Sequence, residues 1–163
     1  MEIYLVRHGA AYTKEEDPER HLNSNGLNQC HLTGRALRRL DVKLDLIVSS
    51  PKDRARQTAE IIAEEVNYSN KEIKITETLQ PTTNPKDTIS FLNDLIDIKR
   101  VLLAGHLPLL GNLVSEILNK SSGISLQFET STVCFIKSEH PISHTGDFRW
   151  FLAPEHLKLL AHI

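Results

Sequence analysis

Cysteine is nearly absent from this chain. Cys30 and Cys134 stand far apart and no C-x-x-C occurs, which argues against both a disulfide framework and a thiolate metal site. A basic excess is missing too. Lysine and arginine number 19 against 21 aspartates and glutamates, for a formal net charge of −2, so no surplus of cations exists to hold a nucleic-acid backbone. No apolar run approaches the ~20 residues of a membrane span. The N-terminus is strand-like from Ile3 to Val6, too short and wrongly flanked for a signal peptide. Repeats, low-complexity tracts and long linkers are lacking as well. These absences leave a single domain over residues 1–163, long enough for a proper core, with the cytoplasm as its expected location.

What is present is an alternation of strands and helices. "EIYLV" (2–6) is a short apolar strand, and the stretch 22–40 is helical from about Ser24, with Leu27, Cys30, Gly34 and Leu37 at three- and four-residue spacing. Glycine costs stability inside a helix, so Gly34 predicts close packing against a neighbour. "LDLIVS" (44–49) is a second strand. The helix over 50–66 has Ser50 as expected N-cap, Pro51 at its first position, and a buried stripe of Ala55, Ala59, Ile62 and Val66. A weak strand (72–76), a Pro-containing loop and a helix around 86–97 follow. "RVLLAG" (100–105) is a third strong strand, and 107–118 a helix with Leu109, Leu110, Leu113, Val114 and Ile117 facing inward. The tail reads as one or two edge strands, with Trp150 and Phe151 as sheet packing. Strands alternating with helices imply a mainly parallel sheet covered on both faces, a three-layer α/β/α sandwich.

The three strong strands carry unusual residues at their C-terminal ends. The first ends in Arg7-His8-Gly9. The second ends in Ser49-Ser50-Pro51, with Arg54 just inside the next helix. The third ends in Gly105-His106. Each has an ordinary reading alone: a turn, a solvated helix residue, a helix cap. Open α/β sheets, however, bind ligands outside the carboxyl ends of their strands, so Arg7, His8, Arg54 and His106 can converge. Arginine forks suit phosphate, and two histidines among them suggest that one attacks phosphorus while the other stabilises it.

Four stretches, "LVRHGAA", "LNSNGLNQC", "VSSPKDRARQTAE" and "LLAGHLPLLGNLVSEI", resemble in order the four blocks of the histidine phosphatase superfamily, the phosphoglycerate-mutase-like fold with an R-H-G motif. The short length, "RHL" before "NSNG", and "HLPLLGNLVSEI" are most similar to the SixA-type phosphohistidine phosphatases. The resemblance implies His8 as a nucleophile that becomes phosphorylated, Arg7 and Arg54 as ligands of the phosphoryl oxygens, His106 as a donor to the same oxygens, and Arg20 as a substrate-binding residue lining the pocket. It implies a backbone acceptor holding one ring nitrogen of His8. It also implies no cofactor, no metal, and a substrate that is a phosphohistidine-bearing protein of the phosphorelay type. A monomer is expected.

One departure from the family is informative. Relatives that cleave phosphate esters carry an acid after the weak middle strand, and here "TETLQPTTNP" places Gln80-Pro81 there, with Glu77 nearby as a solvated strand end. An alkoxide leaving group needs a positioned general acid; the imidazole of phosphohistidine leaves without one. The alternatives are a phosphatase of a small phosphoester, such as a sugar or glycerate phosphate, and a phosphate-recognition module without turnover. The remaining histidines have plainer expectations. His140 and His144 in "HPISH" lack a third ligand, so no zinc site is expected. His21, His31, His156 and His162 read as surface or helix-flank residues.

Overall fold

The apolar strand at the N-terminus becomes one of the two central strands of a mixed sheet in a computed structural model, which describes residues 1–118, 126–139, 142 and 146–162. The elements are β1 (Glu2–Arg7), α1 (Ser24–Arg39), β2 (Leu46–Ser49), α2 (Asp53–Glu65), β3 (Lys74–Ile75), α3 (Pro85–Asn93), β4 (Arg100–Gly105), α4 (Leu109–Leu118), β5 (Val133–Lys137), β6 (Asp147–Leu152) and α5 (Pro154–His162). The sheet order is β3-β2-β4-β1-β5-β6. Pairings among β1 to β4 are parallel, whereas β5 is antiparallel to β1 and β6, so β5 alone runs against the rest.

Alternation along each strand divides the interior in two. Ile3, Leu5, Val101, Leu103, Cys134 and Ile136 join Leu109, Leu113 and Ile117 of α4 and Leu92 of α3 on one face. Tyr4, Val6, Leu102 and Ala104 meet Ala36 and Leu37 of α1, Ala59, Ile62 and Ala63 of α2 and Leu157 of α5 on the other. The sandwich expected from the alternation is therefore present, with α1, α2 and α5 on one side and α3 and α4 on the other. At Gly34 a Cβ would lie 2.5 Å from Glu65 Cβ on α2, so its absence allows α1 and α2 to touch.

Several boundaries differ from the sequence reading. α2 begins at Asp53 behind Lys52 rather than at Ser50, without a side-chain cap. Leu27 lies on the exposed side of α1, β3 keeps two residues, and α3 stops at Asn93. α5 is a helix where no helix was expected; Pro154 opens it, and Leu157 and Ala161 bury its inner face. Trp150 and Phe151 pack on aromatic neighbours, Phe135 and Phe128 respectively, as expected of sheet residues. His140 and His144 lie outside the described residues. Among the described residues, no helix is long and apolar enough to cross a membrane, and no three His, Cys, Asp or Glu residues cluster as metal ligands.

Candidate active site

Parallel pairing brings the ends of β1, β2 and β4 together. Arg7 is in register with Gly105, and the His8 N–H donates to the Gly105 carbonyl at 3.1 Å. The Ser50 N–H donates to the Ala104 carbonyl at 3.0 Å. The His8 and His106 rings come to lie 4.9 Å apart, and Arg54, on the first turn of α2, donates through Nε to His8 Nε2 at 3.2 Å. Arg7, His8, Arg54 and His106 are thus gathered at one place.

The tautomer of His8 follows from its neighbours. Its Nδ1 sits 2.8 Å from the Gly9 carbonyl oxygen, which can only accept, so the proton is on Nδ1 and Nε2 carries none, its lone pair accepting the Arg54 N–H. The expected backbone acceptor is therefore present. Burial, reinforced by the guanidinium groups of Arg54, Arg7 and Arg20, holds the His8 pKa down at about 4, leaving the ring neutral. The turn beneath it is tight. A Cβ on Gly9 would lie 2.7 Å from Cys30 Sγ and 2.8 Å from the Gly26 carbonyl oxygen, and one on Gly26 only 1.9 Å from the Ala10 carbonyl oxygen. Glycine at both positions lets α1 press against the His8 turn.

His106 is equally constrained. It is 1% exposed, and its Nε2 lies 2.9 Å from Ser50 Oγ. Ser50 Oγ already accepts the Lys52 N–H at 3.4 Å, so its own proton is available for Nε2. That assignment places the His106 proton on Nδ1, a buried atom with no hydrogen-bond partner. A neutral donor without an acceptor results. Burial, followed by the nearby His8 and Arg54, lowers the His106 pKa to about 2.

The cations around the histidines are also unsatisfied. Among the described residues, no carboxylate lies within ion-pair distance of Arg7, Arg20 or Arg54. Burial lowers the pKa of Arg7, and burial together with Arg20 lowers that of Arg54. Arg54 opens into a cleft lined also by Lys14, Arg20, Lys52, Glu77 and Gln80. Arg20 adopts φ 57° and donates through Nε to the Tyr12 carbonyl at 3.2 Å. Glu77 is a cleft residue rather than a free strand end: it lies on a short 3-10 turn and accepts a hydrogen bond from the Gln80 amide. Half-buried guanidiniums without counterions are costly unless an anion completes them. The site is built for a compact oxyanion.

Sequence reasoning missed the supports. Thr58 joins α2 to the turn by accepting the Gly9 N–H at 3.0 Å and donating to the Arg54 carbonyl at 2.7 Å. The segment before β5 grips β1 from the other side: Arg7 donates to the Phe128 carbonyl at 2.6 Å, and the Ser131 N–H reaches the Arg7 and His8 carbonyls at 3.0 and 3.2 Å. Ser131 takes φ 67° to do so. Backbone contacts of this kind leave no signature in side-chain types. Ser50 was read as a helix cap, and its burial against His106 shows only in the fold.

Comparison with known proteins gives a consistent result. Residues 3–82 match the model of the histidine phosphatase superfamily (branch 1). The chain is 34% identical over 135 residues to the phosphohistidine phosphatase SixA homolog of Haemophilus influenzae, covering 77% of this chain and 82% of that protein. It is 29% identical over 162 residues to phosphohistidine phosphatase SixA of Escherichia coli, covering 98% of each. A solved structure of the protein histidine phosphatase SixA complexed with tungstate superimposes with a TM-score of 0.86 at 28% identity, over 97% of this chain and all of that one.

Proposed function

The chain belongs to the histidine phosphatase superfamily and is a hydrolase of that kind; from this premise we propose that it removes phosphate from a phosphorylated histidine on a protein. The observation that carries the reading is the unprotonated Nε2 of a neutral His8, held by the Arg54 N–H in a pocket of uncompensated cations. His8 Nε2 attacks phosphorus, and the P–N bond of the substrate breaks as a new P–N bond to His8 forms. The departing imidazole carries its own proton, taken up before the bond breaks. Water then attacks the phosphoryl group on His8, releasing inorganic phosphate and restoring the ring.

Each neighbour has a role in this sequence. The Arg54 N–H that meets Nε2 is placed to meet a phosphoryl oxygen carried on that atom. Arg7 supplies a second guanidinium, Arg20 a third from the mouth of the cleft, and His106 Nδ1–H a neutral donor to charge that develops in the transition state. No metal or cofactor is required. We take the substrate to be a phosphorelay-type protein met by a monomer in the cytoplasm. Glu77 supports a second reading, since its carboxyl group in the Arg54 cleft, in the protonated form, could deliver a proton to a departing alkoxide and serve a small phosphoester.

Brief mixing with a radiolabelled phosphohistidine protein tests the proposal. Label should appear on His8, labile to acid and stable to base, and be absent from His8→Ala. Label that survives in His8→Ala, or maps to another residue, refutes it.

A further inference from the structure

The loop between β1 and α1 carries Arg20, and one aspartate shapes it. Asp17 accepts the backbone N–H of His21 at 2.8 Å and of Glu19 at 3.1 Å, while the Arg20 N–H meets its carbonyl at 2.9 Å. Arg20 sits inside this knot with its left-handed φ. The Tyr12 N–H donates to the His21 carbonyl at 3.0 Å, and the Arg20 guanidinium is rooted on the Tyr12 carbonyl in turn.

His21 is more than a surface residue here. Its Nδ1 lies 2.7 Å from Asp17 Oδ2, and its Nε2 lies 3.8 Å from Oδ2 of Asp53, the first residue of α2, so the ring pairs with both carboxylates in its imidazolium form. Asp53 is held from its own helix by Arg56 at 3.2 Å. Beside it, Gln57 of α2 accepts the Leu22 N–H at 2.8 Å. The residue after Asp53 is Arg54, which touches His8. One imidazole therefore spans the two elements that bring Arg20 and Arg54 to the cleft. Hydrogen bonds from the His21 backbone N–H and then its ring hold the Asp17 carboxyl below the usual range.

We propose that His21 is a positioning residue that latches the Arg20 loop to the first turn of α2, and so fixes the spacing of Arg20 and Arg54 across the cleft. The latch rests on the reading of Arg20 as a phosphoryl-binding residue. Its action passes through Arg20, which makes it separable from a general contribution to folding.

Inorganic phosphate binding, measured by calorimetry on the full chain, tests this with four proteins: native, His21→Ala, Arg20→Ala and the double variant. His21→Ala should weaken binding about two- to fivefold, the scale of a partly exposed ion pair transmitted to one ligand, and Arg20→Ala, which removes that ligand, by at least as much. The double variant should bind no more weakly than Arg20→Ala, because coupled residues are not additive. In turnover, His21→Ala should raise KM more than it lowers kcat. His21→Asn, whose amide can keep Asp17 but is too short for Asp53, should share the defect. Equal weakening by His21→Ala in the Arg20→Ala background would overturn the latch, as would native phosphate binding by His21→Ala or His21→Asn. Native binding by Arg20→Ala would instead overturn the assignment of Arg20 itself.

Discussion

Replacing Ser50 with alanine deletes a single oxygen that never contacts substrate, yet it should slow the enzyme by one to two orders of magnitude. Ser50 is fully buried and His106 nearly so, and among the described residues the 2.9 Å contact is the one hydrogen bond of the His106 ring. Without the hydroxyl, Nε2 becomes a buried acceptor with no donor, a penalty of about 1–3 kcal/mol. The ring can escape by moving its proton to Nε2, but Nδ1 then turns a lone pair toward the phosphoryl oxygens. Either way the donor is weakened at the moment charge develops. At about 1.4 kcal/mol per decade, the loss is about 10- to 100-fold in kcat, bounded above by the about 10²–10³ expected for deleting a donor outright in His106→Ala. Ser50→Thr keeps a hydroxyl and should recover most of the rate. The assay is single-turnover dephosphorylation of a phosphohistidine protein, paired with nitrogen NMR of the histidine rings. A native His106 found protonated on Nε2, or Ser50→Ala turning over within twofold of native, would refute the reasoning.

Three further outcomes are expected. Arg54→Ala should cost about 10²–10³ in turnover, whereas Arg56→Ala, on an exposed face and paired only with Asp53, should change it less than about twofold; equal losses would undo the convergence of strand ends. Glu77→Gln should scarcely alter phosphohistidine turnover, and alkyl phosphates should be poorer substrates by several powers of ten, with activated aryl phosphates between; a Glu77→Gln variant without activity, or an alkyl phosphate as best substrate, would make Glu77 the acid and the phosphoester reading correct. Both site histidines titrate below their ordinary 6.5, His8 at about 4 and His106 at about 2. The unfolded chain therefore binds more protons than the folded one in that interval, so their contribution to stability is complete above pH 6.5 and is lost as pH falls through each folded value. Melting temperatures should already decline between pH 6.5 and about 5, above the carboxylate range, and His106→Asn should flatten that slope; a flat native profile would mean that the rings are charged in the fold.

The catalytic candidates were legible because they sit at independent strand ends, and parallel pairing leaves such ends little choice but to meet. The R-H-G turn, Arg54 and Gly105-His106 needed only the strand assignments to converge. Ser50 misled, since a serine before Pro51 has the outward form of a helix cap while its hydroxyl is spent on a histidine more than fifty positions away. His21 was opaque for a related reason: its second carboxylate, Asp53, becomes a neighbour only when the loop folds onto α2. Helix α5 was hidden by its brevity, with two buried residues carrying its inner face. Arg20 could be named from the family but not placed, because its left-handed backbone follows from Asp17.

The lone reversed strand, β5, has a consequence for the order in which the enzyme comes into being. His8, Arg54 and His106 all leave the ribosome before residue 126, so a nascent chain at that stage owns the side chains proposed to do the chemistry. It does not yet own a finished β1. One side of β1 is paired by β4, but the other waits for β5, and until β5 docks it presents an open row of backbone donors and acceptors. Arg7 lacks the Phe128 carbonyl, and the turn at His8 lacks the Ser131 N–H. Docking of β5 therefore completes a site whose candidate groups were made first, and the interval before residues 126–137 arrive is when β1 is most open to pairing with another copy.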